Sequence, residues 1–164
     1  MRYALALIVF AFGAAAPATA APQSTDTGTL NATFNGLARL SLSTTTLTFP
    51  DADPDTAPQV PASQGPVTIV AKARASEGGT VTLTVLASDD LRSGVTTIPA
   101  ATITWTATGS GFVPGTLSRT IGRTVAAWTG SGVRTGTQSF FFRNLWTWTT
   151  GTYTLTMTYT LTAA

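Results

Sequence analysis

The chain has 164 residues, no histidine, no cysteine and a formal net charge of +2. The missing residue types exclude Ser-His-Asp and Cys-His nucleophilic catalysis, thiolate and imidazole metal sites, and every disulfide. Charged residues make up only 10% of the chain, against roughly 25% in an average soluble domain, so threonine, serine, glycine and asparagine must wet the surface. The arginines are scattered along the chain, and no nucleic-acid partner is expected, because holding a phosphate backbone takes clustered positive charge.

The first twenty residues, "MRYALALIVFAFGAAAPATA", join a basic start at Arg2 to an apolar run and an A-x-A site at Ala18, Thr19 and Ala20. That is the pattern of a signal peptide cleaved after Ala20. The apolar run is shorter than the roughly 20 residues that span a bilayer, and no second one follows, so no transmembrane segment is expected after cleavage. The style of signal suggests a bacterial exported protein, more Gram-negative than Gram-positive, located extracellularly or at the cell surface.

Residues 21–35 form an N-terminal extension, and residues 36–164 a single domain. Apolar or small residues alternate from Leu30 through Ala32, Phe34, Gly36, Ala38 and Leu40 to Leu42. This is longer than the usual strand of about 5–6 residues, so a break is expected at Gly36. Leu47 and Phe49 then lie on odd positions, so the inward parity changes across Ser43–Thr46. Prolines and aspartates mark residues 50–66 as a loop.

Two alternating strands follow, one with Val67, Ile69, Ala71 and Ala73 inward, the other with Val81, Leu83, Val85 and Ala87. The "SEGG" between them reads as a hairpin turn. A loop around "SDDLRSG" leads to a strand with Ile103, Trp105 and Ala107, then a turn at "TGSGFVPG" and a less regular strand or pair of strands from Leu117 to Trp128. After "TGSGVRTG" an aromatic strand extends through "TQSFFFRNLWTW", followed by a short turn at "TTG". The chain closes on a strand with Tyr153, Leu155, Met157, Tyr159 and Leu161 on one face and threonine on the other. No segment has helical periodicity. About seven to nine short strands imply an all-β, immunoglobulin-like Greek-key sandwich.

Candidate chemistry is sparse. Asp51, Asp53 and Asp55 have a D-x-D-x-D spacing that offers oxygens to calcium, but Thr56 and Ala62 stand where an EF-hand loop needs glycine and glutamate, and a solvated loop is the better reading. No cofactor and no catalytic set is expected. Arg119, Arg123, Arg134 and Arg143 read as surface arginines. Phe141, Trp146 and Trp148 are candidates for an exposed aromatic surface able to meet a polysaccharide or a neighbouring subunit, the alternative being that the aromatics fill the core.

The order of these features, from "TGTLNATFNGLARLSLS" and "LTF" through "PVTIVAKA", "TVTLTV" and "ATITWTA" to the closing "GTYTLTMTYTL", resembles the spore coat protein U-like and chaperone–usher pilin subunits across nearly the whole mature chain. The closing strand is also similar to WxL-type cell-surface domains. The pilin resemblance implies an incomplete sandwich whose groove takes the N-terminal extension of the next subunit. Leu30, Ala32 and Phe34 would then be the donor side chains, with self-association or other surface subunits as partners. Pairing of this segment within its own domain is the other arrangement. The expected function is a non-catalytic structural or adhesive surface protein, a pilus-, fibre- or coat-type subunit; the alternative is a monomeric module that binds cell-wall or other extracellular polysaccharide.

Overall fold

The computed structural model describes residues 29–164. The expected signal, residues 1–20, and the extension up to residue 28 lie outside the described residues. The compact unit that carries the fold runs from Phe34 to Ala164.

Its strands are β1 (Leu37–Leu42), β2 (Gln59–Pro61), β3 (Val67–Arg74), β4 (Thr80–Ala87), β5 (Leu91–Ser93), β6 (Thr96–Ile98), β7 (Ile103–Thr108), β8 (Gly115–Thr116), β9 (Arg123–Thr129), β10 (Gly132–Arg143) and β11 (Met157–Ala163). One sheet has the order β1-β3-β10-β7-β8, with β2 pairing the far end of β10, and a second has the order β11-β4-β9. A small β5-β6 hairpin stands apart, and the ladders of both large sheets are antiparallel. The protein is thus an all-β sandwich. The order β1-β3-β10-β7 is that of strands A, B, E and D of the immunoglobulin fold, and β11-β4 that of F and C. The G position, on the outer edge of β11, is empty among the described residues.

The core follows from period-2 patterning. Ile69 and Ala71 on β3, Val81, Leu83 and Val85 on β4, and Val125 and Ala126 on β9 have no solvent exposure. Trp105 and Phe140 pack at 6.1 Å between ring centroids, and the Trp105 indole donates to the Val113 carbonyl at 2.9 Å. A fully buried side chain of this size stabilises by about 1.5–3 kcal/mol.

Several expectations about the strands need correction: residues 50–66 are not all loop, since they contain β2, and the closing strand begins at Met157 and not at Tyr153. β3 and β4 do not form a hairpin: they lie in different sheets, and the turn at Ser76–Gly79 is an arch closed by Gly79 N–H donating to the Ser76 carbonyl at 3.0 Å. Facing each other across the sandwich buries both apolar rows completely, which pairing side by side would not do.

β10 starts at Gly132, so the aromatic strand does not begin after "GVRTG" but includes it. Gly136 is there because a Cβ would strike the Phe112 ring and the Thr108 carbonyl. The "SDDLRSG" segment is not plain loop but contributes β5. The aromatic strand ends at Arg143, where the Asn144 amide turns to donate to the carbonyls of Ala52 and Ala57 at 2.8 and 3.3 Å.

Candidate functional site

The two long sides of the sandwich differ. On one, the segment after β7 crosses from sheet to sheet: Val113 N–H donates to the Val125 carbonyl at 2.9 Å, and Ala127 N–H to the Gly111 carbonyl at 3.0 Å. Phe112, Leu117, Val125 and Ala126 are buried beneath it, so this side is closed.

On the other side stand the edge strands β1 and β11, which are not paired with each other. The row that should seal them is only half-buried: Leu40, Leu42, Leu47 and Phe49 from the first part of the chain, and Tyr153, Leu155, Met157, Tyr159 and Leu161 from the last. Between Leu42–Phe49 and Tyr153–Tyr159 lies a groove of about 460 Å³, with Val67, Ile103 and Phe140 in its floor. Phe49 is held in the wall by the Phe142 ring at 5.9 Å.

Among the described residues no strand pairs with the outer edge of β11, although β1 approaches it. The sequence of β11, MTYTLTA, has no charge, no proline and no glycine, and Thr158, Thr160 and Thr162 are exposed on its outer face. Such an edge is a template for another strand.

One polar contact crosses beneath the groove. The Tyr159 hydroxyl donates to Gln138 Oε1 at 2.6 Å, joining the edge of one sheet to the middle of the other. Gln138 has no solvent exposure, and its Nε2 has no partner. Burial pushes the Tyr159 phenol well above the ordinary tyrosine range.

Of the sequence candidates, Leu30, Ala32 and Phe34 lie in no strand. The ladder to β3 begins at Leu37 opposite Arg74, immediately after Gly36. Leu30 is 93% and Phe34 74% exposed, and the Arg74 guanidinium sits 5.1 Å from the Phe34 ring centroid.

Phe141, Trp146 and Trp148 do not form one surface. Phe141 is half-buried on β10, Trp148 packs against the core cluster, and Trp146 is 69% exposed, with its indole donating to Asp55 at 3.0 Å. The aromatic strand expected through this segment is broken by the turn in which Trp148 N–H donates to the Leu145 carbonyl at 3.1 Å.

Asp51, Asp53 and Asp55 are all exposed. Asp53 turns back to accept from Asp55 N–H at 2.9 Å, and Asp55 accepts from Trp146. Among the described residues no group of three acidic side chains is placed to hold a metal.

Asp89 and Asp90 meet Arg92 and Arg119 at 2.6–3.5 Å. The Asp90 N–H and then the Arg92 guanidinium hold the Asp89 carboxyl below its ordinary value. Asp90 also accepts from Ala100 N–H at 2.9 Å, so this cluster ties the β5-β6 hairpin to its neighbours.

The groove walls at Leu42, Leu47 and Phe49 were not singled out by the sequence reading. The only signal for them was the parity change across Ser43–Thr46, which the structure preserves through a turn in which the Thr44 hydroxyl accepts from Thr46 N–H. No helix among the described residues is long and apolar enough to cross a membrane. No family model matches the chain, and no curated protein matches it in sequence.

Proposed function

We propose that the protein is an exported, non-catalytic structural subunit of a bacterial surface fibre or coat, which assembles by strand addition. The Leu30–Phe34 segment of one copy fills the groove beside β11 of another, in the manner of the pilin and spore coat U-like subunits that the sequence resembles. The observation that carries this reading is the apolar groove between Leu42–Phe49 and Tyr153–Tyr159, which opens beside the unpaired edge at the start of β11, where the immunoglobulin fold has strand G. In the same chain, Leu30, Ala32 and Phe34 present a donor alternation that lies in no strand of its own.

The magnitudes are adequate. Burial of a leucine and a phenylalanine contributes about 3–6 kcal/mol together, and each ladder hydrogen bond about 0.5–1.5 kcal/mol. These gains must exceed an association cost of at least about 4 kcal/mol.

Light scattering of residues 21–164 beside a chain lacking residues 21–35 tests the reading. A series of multimers that collapses to monomer on truncation is expected. A stable monomer from residues 21–164 refutes it.

A further inference from the structure

Three of the basic residues that look scattered in sequence, Arg39, Lys72 and Arg74, are gathered by the fold. Arg39 on β1 lies directly opposite Lys72 on β3, and Arg74 follows two residues on, on the same exposed face. Like charges directly opposite destabilise a sheet, yet none of the three has an ion-pair partner among the described residues. A shallow hollow of about 220 Å³ is lined by Arg39 and Lys72. This face stands at the end of the sandwich where β1 begins, and where Ser76 N–H bonds the Ala164 carbonyl just past β11.

The opposite end is acidic. The Asp51–Asp55 loop is held there by Asn144 at the end of β10, and Phe49, two residues before Asp51, lines the groove. Asp89 and Asp90 lie at the same end, beyond β4, where Ser88 N–H donates to the Thr156 carbonyl, but both are paired with Arg92 and Arg119, so the free negative charge of this end is that of the Asp51–Asp55 loop.

We infer that successive copies, assembled as proposed above, are also joined by charge: the Arg39–Lys72–Arg74 face of each copy docks against the Asp51–Asp55 loop of the copy whose groove it fills. The inference rests on the strand-addition reading and adds what orients it. A donor that pairs antiparallel to β11 leaves the groove at the Met157 end, which is the acidic end. Only Asn35 and Gly36 separate Phe34 from Leu37, so the donor's own body follows within about 11 Å. That is somewhat beyond the Debye length of about 8 Å at physiological salt, so the attraction between the two surfaces is partly screened there and strengthens as salt is lowered. The contact is head-to-tail, and because the two ends differ in sign, the reversed arrangement is disfavoured.

The test is the association rate of residues 21–164, followed by light scattering at about 0.01 M and about 1 M salt, where the Debye length falls from about 30 to about 3 Å. The rate should fall roughly 10- to 100-fold at high salt. Two variants, R39E/K72E/R74E and D51K/D55K, should each assemble at low salt as slowly as the unaltered chain does at high salt, and an equimolar mixture of the two should recover the fast rate. Asp53 is left in place because it shapes the loop. If the rate ignores salt and both variants, or the mixture stays slow, while deletion of residues 21–35 still abolishes multimers, the charge contact is wrong and strand addition survives. If residues 21–164 form no multimers at any salt concentration, both fall.

Discussion

Replacement of Tyr159 by phenylalanine keeps the ring that lines the groove and removes one hydroxyl. The hydroxyl is the partner of Gln138 Oε1 at 2.6 Å, and Gln138 Nε2 already has none. Y159F therefore leaves a fully buried amide without a hydrogen bond, which costs about 1–3 kcal/mol. For a domain of this size that is a fall in Tm of roughly 3–12 °C. Replacing both partners by apolar groups removes the unsatisfied amide, so Y159F/Q138L should recover most of the loss.

The pH dependence gives a second arm. Burial raises the Tyr159 phenol above its ordinary value, so the folded chain keeps a proton that the unfolded chain releases near pH 10. The unaltered protein therefore loses stability as pH rises past about 10, by up to about 1.4 kcal/mol per unit from this group. Y159F does not share that loss, so the gap between the two proteins should narrow there. Urea unfolding of the single, double and unaltered chains measures all of this. A Y159F chain within 0.5 kcal/mol (about the reach of a neutral surface change) of the unaltered one, or a double variant no better than the single, refutes the argument.

Three other outcomes are expected. G136A should lose about 1–3 kcal/mol because its Cβ meets the Phe112 ring and a backbone carbonyl, whereas G132A, with only the tip of Arg134 nearby, should be neutral or slightly stabilising; chemical denaturation separates them. L30D/F34D should abolish multimers in light scattering while leaving the monomer Tm unchanged, because both side chains are exposed. W146A should change stability by less than about 0.5 kcal/mol in thermal melts and leave the multimer distribution intact, because the side chain is outward and its one hydrogen bond is to an exposed carboxylate.

Local patterning was readable from sequence, and pairing across the fold was not. The rows Val67–Ala73 and Val81–Ala87 alternate so regularly that their inward faces could be assigned, and all eight of their residues are buried. Alternation reports which side of a strand is apolar but not which strand lies beside it, so β3 and β4 could not be told from a hairpin. The alternation at Met157–Leu161 is as regular as that of β4, yet one row is half-covered and the other fully buried, because coverage depends on a neighbour that the strand's own residues do not encode. The break at Gly36 could be read from a glycine inside an overlong alternation. The Arg39–Lys72 pair and the Tyr159–Gln138 bond join residues far apart in sequence with no local signal.

The absence of cysteine makes a direct test of strand addition clean. One full mature chain would carry Thr33→Cys, on the outward parity of the donor segment, and a second would carry a cysteine at Thr158, Thr160 or Thr162 on the exposed face of β11. Side chains directly opposite on adjacent antiparallel strands have Cβ atoms about 4.5–5.5 Å apart, near enough for a disulfide. Strand addition predicts a mixed disulfide between the two chains, concentrated at one of the three β11 positions and missing when the cysteine is placed instead at Thr124 on β9. No mixed disulfide at any β11 position, or equal yields at β11 and Thr124, would contradict it.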